Sequence, residues 1–344
     1  MTDRFELFEF VPANRKYWFI RTQGGTYYDE FAAHNFIAIG WSKITEPERL
    51  LTMKRKDALA SIIEAYPDEK RPGKIYNQLF RFFQSISEND VVMIPSDSSS
   101  SIMFGIVESV VYMENNKEKL EKCHYKNRRK VKWVKSVKRD QLDPYLYKMT
   151  RPQNTISDAS DYAPYIDRTI ESLFVKGDKA HMVIPIRTNQ DISALDLYDF
   201  MDMMFTAIKI VNSADASDEE YSRNDLDIKL NVQSPGVMEY ISNHAELMFG
   251  IGMVLVFIVG GSVKFKKTKE EIEADASSDG FMGKLLNFLI KKKDQEIELI
   301  KLREQHLLLK ERLKYELPKE IINLPAGNEE ESASSTSDTD LKSE

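Results

Sequence analysis

The 344-residue chain has a single cysteine, Cys123, so it cannot close an internal disulfide, and a reducing cytoplasmic setting is the expectation. Its opening residues, MTDRFELFEFVPANRKYW, lack the basic stretch and apolar core of a secretory signal. The five histidines, His34, His124, His181, His244 and His306, are scattered, and none stands beside another His or a Cys at metal-ligand spacing. There is no P-loop, no Gly-x-Ser-x-Gly elbow and no zincin helix. These absences argue against an enzyme and leave no catalytic residue, cofactor or metal to expect. What is present is enough to fold: 42% apolar residues and 10% aromatics exclude wholesale disorder. A chain of this length suggests about two domains.

The net charge of −7 hides a local excess of the other sign. From Lys122 to Arg139 the chain carries nine basic residues and no acidic one. Tyr125 and Trp133 interleave with Arg128, Arg129, Lys130 and Lys132. Such a segment serves either as a solvated strand face or as a contact for a phosphate backbone, with the aromatics offering flat surfaces to bases.

Tyr17 to Arg21 (YWFIR) and Phe36 to Gly40 (FIAIG) have the short, aromatic and β-branched character of strands. Gln23-Gly24-Gly25 between them marks a turn that tolerates positive φ. Helical spacing covers Leu50 to Ala65 and Lys74 to Ser85, where Ile75, Leu79, Phe82 and Phe83 share a face. Strands are predicted at Asp90 to Pro95, Ile102 to Val110 and Val131 to Val134, and the serines of Ser96 to Ser101 at a flexible hairpin loop.

The run WFIRTQGGTYYDEFAAHNFIAIGW, followed by QLFRFFQSISENDVVMIP, FGIVESVVY and RKVKWV, resembles the PUA-like superfamily that includes EVE and YTH domains. The likeness is to the version found beside Mrr-type nucleases in bacterial restriction systems. It covers roughly residues 15–190 and implies a small β-barrel that holds a base, often a modified one, in an aromatic pocket. The nuclease's own Asp then Glu-x-Lys strand set does not follow.

A base lifted from its stack loses a few kcal/mol that aromatic walls must return, at about 1–3 kcal/mol per stacked base. Trp18, Trp41, Phe104 and Trp133 are the candidate walls, although strand alternation must turn some of them into the core. Gly24, Gly25 and Gly40 allow close backbone approach. Arg21 either clamps a phosphate or base edge, or pairs with Asp29 or Glu30. The implied setting is defence against phage or foreign DNA, with nucleic acid, DNA rather than RNA, as the partner.

The second half reads differently. Ile192 to Ser213 has helical spacing with Leu197, Phe200, Met201, Met204, Phe205 and Ile208 on one side, and Leu226 to Val232 alternates as a strand. Leu247 to Val263 is uncharged over its length. It fits either a short inner-membrane span followed by the basic KFKKTK, or a buried helix from Val237 to Gly260 followed by a strand, SVKF. Gly283 to Leu317 reads as one long helix whose Leu299, Leu302, Leu309, Leu313 and Leu317 stripe, with His306 in it, suits self-association or docking on its own domain. The polar, acidic tail beyond it is expected to be disordered.

The fold class expected is α+β. A PUA-like small barrel with flanking helices (1–190) precedes an α/β segment (191–265), a long helical region (266–318) and a tail (319–344). A homo-oligomer through 283–317, an inner-membrane association and a protein partner from the same defence system complete the expectations. The rival class is a membrane-anchored scaffold whose barrel docks a protein.

Overall fold

The computed structural model describes residues 9–151, 154–214, 219–231, 236–259, 281–292 and 297–317. The expected tail and the SVKF strand lie outside them. The fold is mixed α+β and divides into two units, Phe10–Ser172 and a second that contains Leu173 onward together with the residues up to Glu9. The boundary therefore falls before 190: residues 173–190, expected with the first domain, form strands of the second unit.

In chain order the elements of the first part are β1 (Glu9–Val11), β2 (Tyr17–Ile20), α1 (Tyr28–Ala33), β3 (Phe36–Ile39), α2 (Pro47–Thr52), α3 (Arg55–Ala65) and α4 (Pro72–Phe80). They continue with β4 (Val91–Pro95), β5 (Ser101–Val107), β6 (Tyr112–Met113), α5 (Lys117–Lys122), β7 (Asn127–Lys138), β8 (Ile156–Asp158) and α6 (Ala163–Ile170). The N-terminal unit is built on a sheet of order β3-β7-β5-β4-β2-β8, with β6 beside β7. Only the β2–β4 pair among these ladders is parallel.

The strands β2, β3 and β4 are buried on both faces, which is why they read as unbroken apolar runs, whereas β7 leaves many of its residues exposed. Trp18, Ile20, Val92, Ile94, Val107 and Val131 pack with Phe31 and Phe82 on one side. Tyr17, Phe19, Val91, Met93, Ile102 and Phe104 pack with Leu146, Met149 and Ile166 on the other. A bulge in the β5–β7 ladder between Phe104 and Gly105 switches which residues of β7 face each side. Gly105 is required there, because a Cβ would lie 2.4 Å from Val131 and 2.5 Å from the Trp133 ring. The helical stretch expected over Leu50 to Ala65 is two helices, α2 and α3, which bury Leu50, Ala58 and Ile62 against Ile75 and Leu79 of α4.

The C-terminal unit contains β9 (Leu173–Lys176), β10 (Lys179–Ile186), α7 (Ala194–Ser213), β11 (Asp227–Asn231), β12 (Gly236–Ser242), α8 (Ala245–Ile258), α9 (Phe281–Lys292) and α10 (Ile297–Leu313). Its strands run in the order β9-β10-β12-β11, all antiparallel. One expectation is corrected here and one choice between alternatives is decided. The helix expected from Val237 begins only at Ala245, because Gly236–Ser242 pairs with β10 along its whole length. The apolar run is a buried helix: α8 is covered by α7, α9, α10 and the strands β10 and β12, which explains a helix apolar all round. No helix among the described residues is long and apolar enough to cross a membrane.

Of the alternatives for the leucine stripe, packing on its own domain holds. Leu299, Leu302, His306, Leu309 and Leu313 are buried in their own unit, against α7, so that face is not available for self-association. The helix expected as one piece is described as α9 and α10, with residues 293–296 outside the description.

Candidate functional site

Three loops of the N-terminal unit meet around Tyr125, and a fourth meets one of them at Gly25. The Gln23–Gly25 turn follows β2, Gly40 and Trp41 follow β3, the Ser96–Ser100 loop joins β4 to β5, and Cys123–Lys126 enters β7. The Tyr125 ring lies against Gly40, 3.1 Å from where a Cβ would stand, and its hydroxyl donates to Gln23 Oε1 at 2.8 Å. Tyr27 and His124 meet the same ring edge-on at centroid distances of 4.9 and 4.7 Å, and the Tyr27 hydroxyl shares a 2.7 Å hydrogen bond with His124 Nδ1.

The backbone here is unusual. Gln23, Gly24, Gly25 and Trp41 all have positive φ, at 54°, 68°, 100° and 65°. For a tryptophan this left-handed conformation is an outlier that costs on the order of 1–3 kcal/mol and persists only where its surroundings impose it. Trp41 is half-buried, wedged between the sheet core and the α2–α4 cluster. Gly25 explains its own identity: a Cβ there would fall 2.5 Å from Asp97 Cα, so only glycine lets the turn reach the serine loop. That loop, expected to be flexible, is closed by its own hydroxyls. Ser96 Oγ accepts from Ser101 N at 2.8 Å, and the Ser96 amide donates to Ser101 O.

The basic strand splits in two. Arg128 and Arg129 are buried and serve the fold. Arg128 donates to the carbonyls of Tyr125, Lys119 and Cys123, lies over the Phe36 ring at 4.2 Å and faces Glu114. Arg129 donates to the carbonyls of Phe82, Ser109 and Phe83, and burial pulls its pKa down. Neither can reach a phosphate as placed. Lys122, Lys126, Lys130 and Lys132 are exposed.

The remaining expected residues divide the same way. Trp18 is buried and donates from Nε1 to Asp90 Oδ2 at 2.9 Å, and Phe104 is fully buried in the opposite core. Both are framework, not pocket walls. Arg21 donates to Thr150 O at 3.0 Å. Trp133 is half-buried over Gly105 and donates to Phe31 O. The structure thus gathers Gly24, Gly25, Trp41 and Tyr125 at one place. Gln23, named before only as part of the turn, joins them, as do Tyr27 and His124, which were not expected at a site; the Thr26-Tyr27-Tyr28 run beside the Gly-Gly turn was the available signal.

Burial, then Tyr27 and Cys123, raise the Tyr125 hydroxyl to about 12, so it stays a donor at neutral pH. Burial also raises the Cys123 thiol, which keeps it unreactive. Among the described residues no three His, Cys, Asp or Glu side chains stand together as a metal site. Charge is partitioned between the units: residues 10–172 hold 26 Lys and Arg against 21 Asp and Glu, a net +5, whereas the rest of the chain holds 22 against 34, a net −12.

A family model described as "Domain of unknown function (DUF8426)" matches residues 17–159, which is less than half the chain and lies within the N-terminal unit. No curated protein matches. Among solved structures, the YTH domain of the Zygosaccharomyces rouxii MRB1 protein, in complex with N6-methyladenosine RNA, is similar at 12% identity and a TM-score of 0.28, covering 46% of this chain and 87% of that one. At that score the two backbones differ too much for any residue to be carried from one to the other.

Proposed function

We propose that the N-terminal unit binds nucleic acid, taking an unstacked base at the loop cluster around Trp41 and Tyr125 while exposed lysines of the 122–132 segment hold the phosphate backbone. The observation that carries this reading is a half-exposed Tyr125 held against the Gln23–Gly25 turn and against Gly40, next to the strained Trp41 in sequence, in a unit of net +5 whose Lys122, Lys126, Lys130 and Lys132 are exposed. A solvated strand face would explain the lysines but not a left-handed tryptophan. The unit is proposed to bind rather than catalyse. The resemblance to domains beside restriction nucleases supports DNA as the polymer, a modified base as the target and defence against foreign DNA as the setting. Self-association through the α10 leucine stripe is not part of the proposal, because that stripe is buried.

The test is fluorescence anisotropy of the full chain with labelled DNA and RNA across a salt series. Binding should weaken steeply with salt, and Lys132→Ala should lower the slope of log K against log salt by about 1. Trp41→Ala or Tyr125→Ala should cost about 1–3 kcal/mol in affinity. Absent or salt-insensitive binding overturns the reading and leaves the cluster as a surface for a protein partner.

A further inference from the structure

A second aromatic group stands at the other end of β7. Past Lys130 and Lys132, exposed on one face, and the bulge after which Lys138 is exposed on the other, the strand runs into Arg139, whose guanidinium lies 5.1 Å over the Tyr147 ring while the Tyr147 hydroxyl donates to Arg139 O at 2.9 Å. Two residues before Tyr147, Tyr145 stacks on Tyr165 with centroids 4.6 Å apart and planes 15° apart, yet remains 58% exposed. Arg168 lies 4.7 Å over Tyr165 and is held by Asp143, which also accepts from the Tyr145 amide at 3.0 Å. The apolar residues of the same turn, Leu146 and Met149, already fill the core beneath. Packing therefore does not require the Tyr145 ring to stand in solvent.

We infer that Tyr145, backed by Tyr165, is a stacking platform for a base of single-stranded nucleic acid whose backbone runs from the Tyr125 cluster past the exposed Lys130 and Lys132. This rests on the nucleic-acid reading above and adds the strand state of the ligand and a second contact. Lys130 to Lys138 spans roughly 26 Å at about 3.3 Å per residue. One polymer must then be several nucleotides long to engage both ends, within the roughly 4–16 nucleotides typical of such surfaces. A duplex keeps its base faces stacked inside and cannot use the platform.

The experiment uses the full chain with fluorescein-labelled oligo(dT) of about 4 and about 16 nucleotides, and a duplex of the longer length. Tyr145→Ala should weaken the long single strand about fivefold or more and leave the short one unchanged, with Tyr145→Phe behaving as the parent. Trp41→Ala should weaken both. Thermal unfolding of Tyr145→Ala should match the parent, since the ring is exposed. Unchanged long-strand affinity in Tyr145→Ala, or a duplex bound as tightly as the single strand, overturns the inference while leaving the base site intact. Loss with Tyr145→Ala but not with Trp41→Ala overturns the base site and keeps the platform. If the chain binds no nucleic acid, both fall.

Discussion

The two units handle polar groups in opposite ways. The N-terminal unit carries net +5 and buries Arg128 and Arg129 of β7, while leaving lysines of the same strand in solvent. The C-terminal unit carries net −12 but encloses an all-apolar helix, α8, and admits few polar groups to the interior. One of them is His306, which shares a hydrogen bond with Tyr315, whose hydroxyl also reaches Met203. The contrast teaches that net charge does not tell which cations are free for a partner: hydrogen-bonded arginines serve packing, and only the solvated lysines present a field.

The comparison can be broken most severely at Arg128. Arg128→Ala leaves three carbonyls without their donor and Glu114 without its buried partner, and should cost about 3–5 kcal/mol in urea unfolding. A cost under about 1 kcal/mol would show that the arginine is not integral to the fold. In the other unit, burial, then Lys310, lowers the His306 pKa from 6.5 to about 4. The neutral ring is favoured in the folded state, so this stability is complete above about pH 6.5 and is lost as pH falls toward 4, up to about 3 kcal/mol. His306→Gln should flatten that part of the stability profile, measured by denaturation between pH 7 and 4.

Gly25→Ala adds a Cβ 2.5 Å from Asp97 Cα at a φ of +100°, and should destabilise by about 1–3 kcal/mol and weaken ligand binding together. Gly24→Ala, with open space around it but a φ of +68°, should cost about 1 kcal/mol or less. The smallest effect is expected at Lys132→Ala. Its unfolding free energy should stay within about 0.5 kcal/mol of the parent while the salt slope of binding falls. A large stability loss there would place Lys132 with the structural arginines.

Much of the N-terminal architecture was legible in residue order. YWFI, FIAI and VVMIP are strands where short aromatic and β-branched runs predict them, and Gln23-Gly24-Gly25 is a positive-φ turn. The reading erred where one local pattern serves two structures. Gly236–Ser242 carries enough apolar residues to extend the following helix, yet its pairing with β10 makes it a strand. The α10 leucine stripe has the same spacing whether it meets a second copy or its own domain, and α7 decided the matter.

Residue identity alone determined the short apolar runs of β2, β3 and β4, the turn glycines, the single cysteine and the basic excess of Lys122–Arg139. Tertiary structure alone decided that Arg128 and Arg129 turn inward while Lys130 and Lys132 do not, that Trp18 and Phe104 are core, and that Tyr125 meets Gly40 and Gln23. The reason is physical: hydrogen bonding and burial depend on which backbone carbonyls and rings lie opposite a side chain, and those partners come from strands and loops far apart in the chain.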